Sequence, residues 1–409
     1  MHVFRILPIV ALLLLPHVAF AHVVVPPKGM RTDAASIVKQ MGVGWNLGNT
    51  FEAYNAPRRS FSNIPQVEGN ALGVNQSAEV TYPAGIETET SWGNPVTTRE
   101  MIDSVRAAGF RSLRLPVRWY PHFKYDGSTL KIDPLWIKRL REVVDYCRDN
   151  DMYVVMNTHH EMWLESHPTY ADSAAVYKQL RMLWTEIALA FADYDEHLVF
   201  AGTNEVHIPN NWGQPTQENA DVQNGFNQVF VDAVRATGGN NRWRPLVVQT
   251  YVCNGQFGIG LFRMPTDVVG GRLIVEVHNY DPYNYGLQDK IRFWGNQYKE
   301  YGTESEDDEA AIDHTYAQLH DAFTAKGVPF IVGEMGANFH TARDADELRV
   351  VEESYLYYLD YVVKAIRRNG GAPFVWDNGV TGRRGTECFG MFDRRNHMKL
   401  LHSVSPSLR

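Results

Sequence analysis

Short runs of consecutive apolar and β-branched residues recur along the chain, separated by longer stretches in which apolar positions return every three or four residues. The runs are GVGWNLG (42–48), SLRLPV (112–117), YVVMNTH (153–159), LVFAGTNE (198–205), PLVVQTY (245–251), LIVEVHNY (273–280), PFIVGEM (329–335) and PFVWDNG (373–379). Helical periodicity fills most of the gaps, near 98–109, 134–150, 172–193, 217–237, 309–326 and 347–369. The runs are continuous rather than alternating, the pattern of parallel strands covered outside by helices. Eight such units with no linker between them predict one (β/α)8 TIM barrel rather than an open doubly wound sheet.

Two gaps are long. Residues 52–97 and 281–307 lack a helical period and read as loops leaving the first and sixth strands. Long loops in a compact domain are usually functional, and these leave the C-terminal ends of strands, where barrel active sites lie. The polar residues gather at the same ends. Asn46 and Asn49 close the first run, and Arg114 lies in the second. His159 and His160 close the third, Asn204 and Glu205 the fourth, His278 and Tyr280 the sixth, Glu334 the seventh, and Trp376 with Asp377 the eighth. Alternation places Val199, Ala201, Thr203 and Glu205 on one side of the fourth strand, and Phe330, Val332 and Glu334 on one side of the seventh.

Glu205 and Glu334 therefore stand three strands apart around one mouth, able to converge over the axis. Each alone could be a salt-bridged rim residue. Together, with Arg, His and aromatic neighbours, they suit hydrolysis of a glycosidic bond: one acid protonates the leaving oxygen and the other meets the developing oxocarbenium ion. Mutual repulsion raises one acid, and Arg114 helps keep the other ionised. Glu276 shares a strand side with His278 and Tyr280 and should point inward, where an acid needs a partner that the sequence does not name.

Composition narrows the class. A net charge of -8 argues against a nucleic-acid partner, and 10 Trp with 20 Tyr suit a ligand with flat apolar faces, such as a sugar. Trp92, Trp163, Trp212 and Trp294 fall in loops assigned above the mouth, candidates for sugar platforms. Residues 1–21 read as a secretory signal: Arg5, an apolar run too short to span a bilayer comfortably, then Ala19-Phe20-Ala21. The mature chain, 22–409, is then one secreted catalytic barrel, and no other segment could cross a membrane. Of 3 Cys, Cys147 lies on the apolar stripe of a helix, and Cys253 and Cys388 leave one bridge possible. THHE (158–161) lacks the His spacing of a zinc helix, and adjacent His residues at a strand end point apart, so no catalytic metal and no cofactor are expected. SEDDEA (305–310) reads as a solvated helix N-terminus.

The stretches GVGWNLGNTFEA, RLPVRW, VVMNTHHE, TNEVH, IVEVHNYDPY, VGEMG and PFVWDNG, in this order, resemble glycoside hydrolase family 5, the family of many cellulases and mannanases. The resemblance implies a retaining mechanism with Glu205 as acid/base and Glu334 as nucleophile. It assigns Arg114 and Tyr280 to positioning and charging the nucleophile. It also implies that His159, Asn204 and His278 hold substrate hydroxyls or the acid/base, and that Trp376 stacks under the sugar before the cleaved bond. Asn46 and His160 join the substrate-binding set. GWNLGNTFEA and VHNYDPY look closer to the glucanase branches, so an endo-β-1,4-glucanase acting on cellulose, mixed-linkage glucan or xyloglucan is expected. An endo-β-1,4-mannanase is the alternative, and a barrel that only binds carbohydrate would have no use for both acids. The expected partner is polysaccharide, with no obligate protein partner implied. Two departures stand out: Val206 follows the acid/base where the family usually has Pro, and Ala201 stands where an acid is frequent.

Overall fold

The computed structural model describes residues 25–54 and 84–401. The proposed signal segment and residues 55–83 of the first long loop lie outside the described residues. Eight parallel strands close into a barrel. They are β1 (Gly44–Asn46), β2 (Ser112–Leu115), β3 (Tyr153–Asn157), β4 (Leu198–Ala201), β5 (Leu246–Asn254), β6 (Leu273–Asn279), β7 (Phe330–Met335) and β8 (Gly371–Val375). β1 closes the ring by pairing with both β2 and β8.

The helices on the outside are Arg99–Ala107, Pro134–Asp149, Tyr170–Ala190, Gln217–Ala236, Asp308–Ala322 and Ala345–Arg368. Each starts after a Thr or Asp whose side chain accepts from a first-turn N–H: Thr98, Asp133, Thr169, Thr216, Asp307 and Asp344. Those caps satisfy donors that the helix itself leaves unpaired, which fixes where each helix begins. Between β5 and β6 the described chain has no helix, matching the missing period there. The acid run at 305–310 does open a helix, but it is less solvated than its composition suggests. Asp308 is buried and accepts from Gly295 N, and Glu309 accepts from Asn296 N.

The barrel interior is layered. An additional helix, Ala34–Met41, packs Ala34, Ile37, Val38 and Met41 against Val155, Val199, Ala201, Val247, Ile274, Ile331 and Phe374. This apolar plug fills the N-terminal end, so the polar layer above it stands on a dry floor. β7 departs from simple alternation. Ile331, not Phe330 or Val332, faces the interior cluster, while Phe330 and Val332 pack outside with the helices. The register against β6 shifts between the pairs Val277–Val332 and His278–Glu334. A bulge at Gly333 therefore turns Glu334 inward, where strict alternation would have turned it out. Glycine is required there, because a Cβ would lie 1.8 Å from the Glu276 carboxylate.

The long loops carry short elements: a 3-10 turn Ile86–Thr90, a helical turn Tyr283–Gly286 and a 3-10 stretch Asn296–Tyr301. All three cysteines are free and buried. No helix among the described residues is long and apolar enough to cross a membrane.

Candidate active site

Arg114, rising from β2 with no exposure, organises the mouth. Its Nε donates to Glu276 at 2.8 Å, Nη1 to Glu334 at 2.8 Å and Asn46 at 3.2 Å, and Nη2 to Asn204 at 2.9 Å. Glu276 is thus the partner of Arg114, and Gln249 Nε2 fills its other oxygen at 2.7 Å. Burial works against charge on Arg114, but the carboxylates of Glu276 and Glu334 more than offset it and its pKa is raised. Asn46 lies beneath the mouth, its amide nitrogen bound to Gly333 O at 2.9 Å and its oxygen to Arg114.

The two candidate acids differ in setting. Glu334, on the bulge of β7, is nearly buried and accepts from Arg114 and from the Tyr280 hydroxyl at 2.9 Å. Burial and the Glu334 carboxylate push the Tyr280 phenol well up, so it stays a donor. Glu205 follows β4, its side chain 24% exposed against 7% for Glu334. It meets His278 Nδ1 at 2.6 Å. His278 Nδ1 also lies 3.8 Å from Glu334, and Nε2 lies 3.4 Å from Glu276. Both ring nitrogens thus face carboxylates. Burial would push His278 down, but the Cys253 sulfur beside it, the Glu334 charge and the bond to Glu205 outweigh it, and the ring is held well above its usual range. Burial pushes Glu205 up, yet the bond to His278 and its charge win, and Glu205 falls below the usual range. The two form a charge-assisted hydrogen bond, with the proton held on the imidazole. The expected repulsion between acids is therefore overridden by an imidazole placed between them.

Oxygens of Glu205 and Glu334 and a His278 nitrogen all lie within 4.8 Å of one another. Among the described residues this is the one group of side chains close enough to hold a metal ion, and His159, His160 and Glu161 do not form another. The two histidines do not point apart. His160 takes a left-handed backbone, φ 56°, which brings its ring within 4.4 Å of His159. Glu161 braces the chain instead, accepting from Tyr120 N at 3.0 Å and from Trp119 N and Trp163 Nε1.

His159 is neutral, held well below its usual range by burial and by His160 beside it. Asn157 Nδ2 sits 3.1 Å from its Nδ1, leaving Nε2–H as the donor. Its ring lies parallel to the half-buried Trp376 ring, centroids 6.1 Å apart. Gly48, absent from the sequence-level site, makes room for Trp376: a Cβ there would lie 2.9 Å from the indole. Gln249 was also missed, although a glutamine inside an apolar strand run is itself a signal. Of the four loop tryptophans, Trp163 and Trp294 are buried, the latter among Tyr357, Tyr358 and Tyr361, and so are packing residues. Trp212 is 54% exposed and stacks on His207, and Trp92 lies 6.0 Å from His160.

A close carboxylate pair at the C-terminal mouth of a (β/α)8 barrel, with an Arg and a Tyr on one acid and an open Trp alongside, is the arrangement of a glycoside hydrolase. The chain belongs to the cellulase family, glycosyl hydrolase family 5, whose model matches residues 74–382. It is 36% identical over 371 residues to Endoglucanase A of Clostridium longisporum, covering 88% of this chain and 62% of that protein. It is likewise 36% identical over 359 residues to the xyloglucan-specific endo-beta-1,4-glucanase BoGH5A of Bacteroides ovatus, covering 87% of this chain and 65% of that protein. The chain thus spans less than two thirds of either relative's length. Among solved structures, the Bacteroides ovatus xyloglucanase in complex with a XXXG heptasaccharide superposes with a TM-score of 0.78 at 34% identity, covering 91% of this chain and 76% of that one. The broad-specificity endoglucanase of Ruminococcus champanellensis with bound cellotriose gives 0.75 at 32%, covering 92% and 99%.

Proposed function

We propose that this protein is an endo-acting β-1,4-glucanase that cleaves β-glucan chains with retention of anomeric configuration, Glu334 acting as nucleophile and Glu205 as acid/base. The observation that carries the reading is the asymmetry of the pair. Glu334 is buried and receives two donors, Arg114 and Tyr280, which suits a carboxylate that must stay ionised until it attacks. Glu205 is more open and hydrogen-bonded to His278, an imidazole that can pass it the proton for the leaving oxygen and take back the one drawn from water. Oxygens within 4.8 Å of each other fit the roughly 5–5.5 Å separation of retaining pairs, not the 6.5–9.5 Å that leaves room for an inverting water.

Trp376 supplies the floor for the sugar before the cleaved bond, with His159 Nε2–H and the Asn204 amide available to hydroxyls. His160 lines the same wall. The relatives named above are an endoglucanase and a xyloglucan-specific endo-beta-1,4-glucanase, and one similar structure holds cellotriose, which favours glucan over mannan. We further propose that residues 1–21 direct export and that 22–409 form a single catalytic barrel. The test of substrate is a reducing-sugar assay on carboxymethylcellulose, barley glucan, xyloglucan, glucomannan and xylan. Highest kcat/KM on one of the three glucans supports the reading, and a preference for glucomannan with inertness on all three overturns it. The export proposal is tested by cell fractionation, with product lacking residues 1–21 expected outside the cytoplasm.

A further inference from the structure

The backbone at the end of β5 is held in an unusual shape beside the acid/base. Val252 and Cys253 both have left-handed φ values, 58° and 51°, a conformation that is a marked outlier for a β-branched residue. The register shows the cause. Gln249 pairs with Glu276 and Asn254 with His278, so five steps along β5 oppose two along β6, and the three excess residues are thrown out of the sheet. They land against one stretch. Val252 N donates to Val206 O at 3.1 Å, Cys253 Sγ to Asn204 O at 3.3 Å, and Ile208 N donates to the Tyr251 hydroxyl at 3.0 Å. Tyr251, Cys253 and Val206 are all buried. The chain is therefore tied on both sides of Glu205, at 204, 206 and 208.

We infer that Tyr251 and Cys253 are positioning residues for Glu205, and that this strained kink fixes the turn off β4 in a chain whose acid/base is followed by Val206. Outlier backbone persists only where its surroundings over-determine it, and it gathers at functional sites. Here the surroundings are the loop it holds. Neither residue touches the reacting atoms, and Cys253 also meets His278, the partner of the Glu205 carboxyl. Their effect runs through the aim of one carboxyl, where a displacement of about 1 Å can cost about 10²-fold.

The inference rests on Glu205 being the acid/base, and the experiment separates the two. kcat/KM is measured on barley glucan and on a dinitrophenyl β-cellobioside, whose leaving group departs without a proton, for Tyr251→Phe, Cys253→Ala, Cys253→Ser and Glu205→Ala. Because kcat/KM reports only the steps through glycosyl transfer to the enzyme, it leaves out the activation of water, and the comparison of the two substrates then isolates proton donation. Tyr251→Phe and Cys253→Ala should each lose about tenfold or more on glucan, part of the roughly 10²–10⁴-fold supplied by a general acid, and keep the aryl rate within about twofold. Cys253→Ser, which restores a donor, should recover most of the glucan rate. Equal losses on both substrates, or no loss on glucan, overturn the inference while Glu205→Ala still shows the split. If Glu205→Ala shows no split either, the acid/base reading fails and the inference falls with it.

Discussion

Replacing Glu276 with glutamine tests the buried charge balance beneath the two acids. The two oxygens of Glu276 accept from Arg114 and from Gln249. A glutamine amide brings one acceptor and one NH2 group, so one of these donors is left facing another donor. The Glu276 carboxyl is lowered from 4.5 to about 2: burial pushes it up, and the Arg114 charge with hydrogen bonds from His278 and Gln249 more than reverses that. At about 1.4 kcal/mol per tenfold, this lowering corresponds to about 3 kcal/mol of stability. Removing one partner of a buried ion pair costs about 3–5 kcal/mol in general, so the two routes agree. Divided by an unfolding entropy of about 0.9 kcal/mol/K for 409 residues, the loss becomes a fall in Tm of roughly 3–6 °C. A lowered carboxyl contributes fully above its unfolded pKa and loses that contribution as pH falls through the folded one. The gap between wild type and Glu276→Gln should therefore be complete above about pH 4.5 and close towards about pH 2. Thermal unfolding followed by circular dichroism across that range reads both. Equal Tm at neutral pH, or a gap that widens in acid, would refute the reasoning.

Glu165 should show the opposite pH dependence. Burial and the nearby Glu205 and Glu161 carboxylates raise it to about 8, and its Oε1 has no hydrogen-bond partner. Its contribution is complete below about pH 4.5 and is lost as pH rises to about 8, so Glu165→Gln should flatten the decline in Tm between those two values, and an unchanged decline there would exclude it. Trp376→Ala should lose stacking of roughly 0.5–1.5 kcal/mol beyond area burial, read as a fall in kcat/KM on polymer with the far-ultraviolet spectrum unchanged; an unaltered rate would place the ring outside the substrate path. Dialysis against a chelator should leave turnover intact, and a complete loss restored by one divalent ion would contradict chemistry run on two carboxylates. Azide should rescue Glu205→Ala on an activated aryl glycoside to give the β-azide, and Glu334→Ala to give the α-azide; identical responses would undo the assignment of roles.

The elements most legible in the sequence were those set by local chemistry. The barrel strands announced themselves as apolar runs, and the helices as apolar positions returning every three or four residues. Glu205 was legible because a lone acid at the end of such a run has a cost that needs a reason. What escaped depends on distance along the chain or on backbone direction. Arg114 and Glu276 are 162 residues apart, so neither names the other. The bulge at Gly333 reversed the sides of β7, and the Glu276 carboxylate that makes glycine necessary there comes from another strand. Composition counted tryptophans without their directions, which is why Trp163 and Trp294 were grouped with the exposed Trp212. The kink at Val252 and Cys253 leaves no mark at all, since valine is among the residues least suited to a left-handed backbone.

The assignment of Glu334 as nucleophile is tested most directly by trapping the covalent intermediate. A fluorosugar, a dinitrophenyl cellobioside bearing fluorine in place of the hydroxyl beside the anomeric carbon, releases its phenolate readily, while the fluorine slows hydrolysis of the glycosyl-enzyme ester. Incubation followed by proteolysis and mass spectrometry should find one fluorocellobiosyl group, attached to the peptide carrying Glu334 and missing from Glu334→Ala. A label on Glu205, or no label together with an α-configured first product from natural substrate, would contradict the account.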